Sequence, residues 1–136
     1  MAVNILAVLV SAVLAMISGF IWYGPIFGKK WMKLVGMTER SMDNAKSNMS
    51  RTYIISFASA MVMAYVLVHF IKFSLADSFV TGMSVGFWSW LGFVATTSLT
   101  GYLYSEKPKP SELYFIDNGY QLLTLMLMGG LLAVWQ

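Results

Sequence analysis

Asp117, Asn118 and Gln121 lie in an otherwise uncharged, apolar stretch from Leu113 to Gln136, and they are the side chains in this sequence best placed to do chemistry. A carboxylate in hydrocarbon costs about 2.5–3.5 kcal/mol or more, so it faces a bundle interior or a water-filled cavity, where it can hold a cation or carry a proton. On a helix Asp117, Gln121 and Thr124 fall on one face, as a polar-lined path requires. Thr96, Thr97 and Thr100 of the preceding apolar segment and the Tyr23 hydroxyl lie toward the same end of their segments, and they are expected to join Asp117 in a polar vestibule. The plainer alternative is that Asp117, about a turn and a half into its helix, snorkels to the interface or pairs with Lys107 or Lys109.

Other chemistries find less support. His69, with Tyr65, Lys72 and Asp77 nearby, reads either as an outward-facing pH-sensitive group or simply as a polar helix end. One histidine and no cysteine argue against a metal site and exclude disulfides and thiol nucleophiles. The eleven methionines point to adaptable packing, because Met61 with Met63 and Met126 with Met128 are too apolar in context for copper. No serine-histidine-acid set, phosphate loop or paired catalytic carboxylates occur. The expectation is therefore no enzyme and no cofactor.

The elements that would position Asp117 follow from composition. The 136 residues are 58% hydrophobic and 11% charged, against about a quarter charged in soluble domains. Charge-free runs cover residues 2–28, 52–71 and 78–105, and 113–136 apart from Asp117. Each is near the ~20 residues that a helix needs to cross about 30 Å of hydrocarbon. None alternates with the period of a barrel strand. The fold class expected is all-α, a single four-span membrane bundle over 1–136 with helices at about 3–23, 52–73, 79–104 and 111–135 and a polar loop at about 24–51. The first run has no preceding basic residue and no convincing cleavage site, so it reads as an uncleaved span rather than a signal peptide. The net charge of +3 comes from lysines beside the spans, which is a topology signal and gives no reason to expect nucleic acid.

Helix one places Asn4, Ala7, Ser11, Ala15, Ser18 and Trp22 on one face, with Ala7, Ser11, Ala15 and Gly19 spaced by four for close helix packing. Pro25, between Gly24 and Gly28, is expected to end it. Trp22, Tyr23, Phe27 and Trp31 then form an aromatic belt, with Lys29, Lys30 and Lys33 just outside. Between Trp31 and Arg51 the spacing predicts an interfacial helical hairpin with Thr38 as a cap, the alternative being a solvated linker. Helix two carries Ser56, Ser59 and Met63 on one face. A short connection at 74–78 makes helices two and three antiparallel neighbours. Helix three has a stripe of Ser78, Gly82, Gly86, Ser89, Thr96 and Thr100, and it holds Trp88 and Trp90 well inside the span, so at least one of these faces protein. Helix four is expected to use Ser111 as its cap, with Glu112 in the first turn.

Eight lysines and arginines lie in loops one and three against Lys72 alone near loop two, which places loops one and three in the cytoplasm and both termini outside a bacterial inner membrane. A faint echo links Gly19-Phe-Ile-Trp-Tyr-Gly24 to Gly86-Phe-Trp-Ser-Trp-Leu-Gly92. Glycine and tryptophan are common in such spans, and coincidence accounts for it.

Several of these residues carry a resemblance. Asn4, the Trp22-Tyr-Gly-Pro-x-Phe-Gly-Lys-x-Trp31 exit (Trp22, Tyr23, Gly24, Pro25, Phe27, Gly28, Trp31), the Trp90-Leu-Gly-Phe93 step and Gly119, Tyr120, Met128, Gly129 and Trp135 together resemble the bacterial membrane family called domain of unknown function 1761. The resemblance covers nearly the whole chain. It implies a small four-span membrane protein and no activity. The family pattern leads one to expect a milder asparagine-containing segment where Asp117 and Asn118 stand.

The reading that follows is an oligomeric transporter or channel for a small solute or ion. Its partners would be the lipid bilayer and either further copies of the chain or another membrane protein. The alternative is an accessory or assembly subunit of a larger membrane complex, without a site of its own.

Overall fold

A computed structural model describes residues 2–106 and 109–136, all of whose regular structure is helical. Helix α1 (Ile5–Ile21) opens on Asn4, whose side chain accepts a hydrogen bond from the Ala7 amide at 3.2 Å. Asn4 thus caps the helix by satisfying one of the amides left free at its start.

Pro25 does not end the first helical element. The chain passes through a wider π-helical turn, Trp22–Ile26, that contains Pro25, with the Phe27 amide donating to the Trp22 carbonyl at 2.9 Å. A wider turn accommodates a ring that would break an α-helical one. Helix α2 (Gly28–Val35) follows directly and stops at Gly36, whose φ of 72° is the left-handed conformation that glycine adopts without strain. Helix α3 (Glu39–Ser47) opens on Thr38, whose hydroxyl accepts from the Ser41 amide at 3.2 Å. The loop is therefore helical, as expected, rather than a linker.

Helix α4 (Met49–Phe73) starts at Met49, ahead of the Thr52 expected from the charge-free run. Ser78 and Thr81 form a reciprocal capping box at the start of α5 (Phe79–Ser89). A second π-helical turn, Trp90–Ala95, separates α5 from α6 (Thr96–Leu103). Helix α7 (Ser111–Val134) has Ser111 as its first helical residue rather than its cap, because Pro110 occupies the capping position and no side chain caps the end. Glu112 lies in the first turn and pairs with Lys30 at 3.3 Å, an exposed contact of little energetic weight.

Helix α7 is the centre of the assembly, touching α1, α4 and α5. The short α4–α5 connection suggested that these two helices would be each other's main partners. Instead α5 packs chiefly on α7, because their glycines bring the two backbones together. A Cβ added at Gly82 would collide with the Gly129 carbonyl oxygen, and one at Gly86 with the Leu125 carbonyl oxygen. On the other side α1 contributes Ala7, Ala12 and Ala15 and α4 contributes Ala60 and Ala64 to the same core, with Val8, Leu67, Ile71, Met128 and Leu132 filling between. Ser11 is fully buried on this face. Gly19 lies farther along, where an added Cβ would stand 3.1 Å from the Tyr120 hydroxyl.

Three stretches, Ile5–Ile26, Met49–Phe73 and Phe79–Leu103, are long and apolar enough to cross a membrane. They mark the chain as a membrane protein by composition. Their outward faces carry Ile5, Ile17, Ile54, Val62, Val80 and Phe93, all exposed, as a lipid-facing surface requires. Helix α7, expected as a fourth span, is not among them. Asp117, Asn118 and Gln121 lower its mean hydropathy, yet it buries ten of its own residues, among them Asn118 and Thr124. The polar helix occupies the middle, and the apolar ones surround it.

Candidate functional site

The cluster around Asp117 is built by the chain segment that leaves α1. Trp22, Tyr23 and Trp31, expected to point outward as a belt, turn inward onto α7. The Trp22 indole N–H donates to the Ile116 carbonyl at 2.9 Å. The Tyr23 hydroxyl donates to Asp117 Oδ1 at 2.7 Å, and the Trp31 indole N–H donates to the same oxygen at 3.1 Å. From the other side the Tyr102 hydroxyl, near the end of α6, donates to Asp117 Oδ2. Three neutral donors therefore hold one carboxylate, through hydrogen bonds that its charge strengthens. A carboxylate offers about four acceptor positions, so this arrangement leaves one on Oδ2.

The expected pairing of Asp117 with a lysine is not what Lys109 does. Its ammonium sits over the ring of Tyr102, 5.0 Å from the centroid. Lys107 lies outside the described residues. Among the described residues the ion pair formed is Lys30 with Glu112.

Asn118 points away from this cluster. It is 2% exposed, and its amide donates to Ser98 Oγ and to the Tyr114 carbonyl, each at 2.9 Å. Its own backbone carbonyl accepts from the Trp90 indole at 2.9 Å. Asn118 thus ties α6 to α7. Thr96 and Thr100 are exposed and donate to their own helix, to the Gly92 carbonyl at 2.7 Å and the Thr97 carbonyl at 2.9 Å. They do not join the cluster, whereas Thr97 and Gln121 line a cavity with Asp117. The second π turn explains the difference, since one extra residue rotates everything after it by about 100°. Ser98 then meets α7 where an unbroken helix would have presented its neighbours.

Asp117 stands between two cavities. One, of about 590 Å³, is lined by Tyr23, Thr97, Ser98, Tyr102 and Gln121. The other, of about 580 Å³, is lined by Tyr23, Trp31, Met32, Met37, Met42 and Met49. A third, of about 570 Å³, shares Tyr23 and Trp31 with the second and adds Gly19 and Tyr120. A smaller one of about 270 Å³ runs past Gln121 to Thr124, opposite Ser56 and Ser59 of α4. Asp117, Gln121 and Thr124 therefore line adjoining chambers along one face of α7, as their spacing predicts.

A family model matches residues 6–133. The chain belongs to the DUF1761 family, whose description is a protein of unknown function. No curated protein and no solved structure matches the chain significantly. The region matched to DUF1761 includes the whole Trp22–Trp31 exit, and the structure gives those residue types a physical basis. A Cβ at Gly28 would lie 2.6 Å from the Tyr23 carbonyl oxygen, and one at Gly119 would lie 3.1 Å from the Trp22 ring, so both positions need glycine. The Phe27 ring packs on Trp22 with centroids 4.8 Å apart. Gly24 has open space around it and is not required in this way.

Tyr102, Ser98 and Trp90 belong to the cluster without having been singled out as site residues in the sequence. Trp90 carried one signal, its position deep in an apolar run, and Trp88 nearby is 64% exposed. His69 bonds the Tyr65 carbonyl of its own helix at 2.8 Å, the polar-helix-end arrangement. Among the described residues no three His, Asp or Glu side chains gather where they could hold a metal.

Proposed function

We propose that this chain is a four-span inner-membrane protein in which the Asp117 carboxylate binds a proton or small cation during passage of a solute. The observation that supports this is the carboxylate itself, held by neutral donors between two cavities rather than by a neighbouring lysine. A cationic partner would already have neutralised it; neutral donors leave its charge available. Helix α7 serves as the fourth span because its polar side chains face the bundle centre, where a membrane tolerates them. The cavities open sideways, so neighbouring subunits of a homo-oligomer complete their walls.

Purified protein in proteoliposomes tests the assignment. Asp117→Asn is expected to abolish proton or cation flux driven by an imposed gradient, while the protein remains monodisperse. Flux equal to wild type would remove Asp117 from the mechanism. A stoichiometric foreign membrane protein copurifying with a flux-inactive wild type would instead favour the accessory role, and the exposed Trp88 face of α5 would be the surface to examine first.

Loops one and three are assigned to the cytoplasm from their excess of lysine and arginine. The sequence has no cysteine, so single cysteines report cleanly. Asp77→Cys is expected to react with a membrane-impermeant maleimide in intact cells, and Asn44→Cys only after permeabilisation. The reverse pattern would invert the protein.

A further inference from the structure

We propose that the cavity between Asp117 and the α2–α3 segment binds a lipophilic organic cation, meaning an alkyl- or aryl-substituted ammonium or phosphonium. This rests on the reading of Asp117 as a cation site and names the class of cation. Three features of the cavity point to it. Its volume of about 580 Å³ is that of a site for a molecule of drug size, far larger than a dehydrated metal ion needs. One carboxylate supplies charge, and one of its acceptor positions is left open by the three donors. The rest of the wall is aromatic and thioether: Tyr23 and Trp31, with ring centroids 5.7 Å apart in an edge-to-face arrangement, together with Met32, Met37 and Met49.

Each component suits the same ligand. An aromatic ring attracts a cation through its negative face, most strongly when water is excluded, and quaternary ammonium groups are the usual occupants of such sites. Methionine is flexible and polarisable, so it fits itself to apolar substituents of differing shape. A strongly hydrated inorganic ion would gain little from these walls. An anion would face Asp117 at close range. Lys46 also lines the cavity, from an exposed position on α3, and its charge opposes a cation there. Exposure to water weakens that opposition.

The same chemistry can come from a free organic cation or from an ammonium-bearing lipid headgroup. Tetraphenylphosphonium titrated calorimetrically into protein in phosphatidylglycerol nanodiscs provides the test. Saturable binding with one site per chain is expected. Asp117→Asn and Trp31→Leu are each expected to weaken it at least tenfold. Trp31→Phe, which keeps a ring but loses the indole N–H, should stay within about threefold of wild type. Met49→Lys stands apart from the donors to Asp117 and fills the cavity with a tethered ammonium, so it should also weaken binding at least tenfold even if Trp31→Leu folds poorly. Replacing half the lipid with phosphatidylethanolamine separates the two sources. A lowered affinity assigns the cavity to the headgroup, and an unchanged affinity assigns it to a free cation.

Non-saturable binding, or full affinity in both Asp117→Asn and Met49→Lys, overturns the inference. The two claims fail separately. Asp117-dependent proton or sodium flux without tetraphenylphosphonium binding removes the organic cation and keeps the site. Flux indifferent to Asp117→Asn removes the transport reading.

Discussion

Gly82→Val is expected to destabilise the protein by about 3 kcal/mol or more, the largest loss predicted for any single change outside the Asp117 cluster. At this position the obstructing atoms are the Gly129 carbonyl group and the Ala133 Cβ, so backbone rather than a flexible side chain would have to give way. Separating α5 from α7 would also loosen the neighbouring contact, where Gly86 meets the Leu125 carbonyl. Small residues at such crossings let helices approach closely, and the packing that results is a main source of association between helices in lipid. Gly101→Ala serves as the control. It lies inside α6 with nothing within 4 Å of the added carbon, and it should gain about 0.5–1 kcal/mol from reduced backbone freedom. Unfolding in mixed micelles with increasing sodium dodecyl sulfate, followed by tryptophan fluorescence, measures both. A Gly82→Val protein as stable as wild type would mean that α5 and α7 do not meet in this way.

Asp117→Leu comes next, with an expected loss of about 3–5 kcal/mol. The substitution removes the acceptor for Tyr23, Trp31 and Tyr102 at once. Hydrogen bonds to a charged group contribute about 1.5–3 kcal/mol each, and water reaching these partly exposed groups recovers some of the sum. Asp117→Asn keeps one carbonyl oxygen as an acceptor and should cost only about 1–2 kcal/mol. That difference is what makes the asparagine variant useful for flux measurements. The three donors share one partner, so their contributions should not add. A double-mutant cycle between Asp117→Asn and Tyr102→Phe is expected to give a coupling of about 1 kcal/mol or more. Zero coupling would mean that the Tyr102 hydroxyl does not bond the carboxylate.

Charge-free runs and glycine spacing located the helices and the Gly82–Gly86 face, because burying apolar surface and bringing backbones together leave a direct trace in residue type. Asp117, Gln121 and Thr124 could be placed on one face for the same reason. The donors to Asp117 left no such trace. Tryptophan and tyrosine just beyond an apolar run suit a headgroup belt as well as an inward-facing cluster, and only the path of the chain through Pro25 decides between them. Thr96 and Thr100 were assigned to the cluster by counting along an unbroken helix. A single extra residue in the turn at Trp90–Ala95 shifts that count, and neither threonine reaches α7. Hydropathy also mistakes the role of α7, whose polar residues look like a weak span and prove to mark the helix that the others enclose.

The two π turns have a mechanical consequence. Each begins with a tryptophan, and the two indoles grip α7 at the carbonyls of Ile116 and Asn118, the residues immediately before and after Asp117. Held by this pair of clamps, α7 can neither spin about its axis nor slide along it without releasing both. It acts as a stator. By contrast, the first half of α4 is mostly exposed, and Tyr53 meets α1 through an edge-on contact with Phe20 at 5.4 Å. Any change in access to the chambers beside Asp117 must therefore come from the swing of α4, with the carboxylate itself standing still.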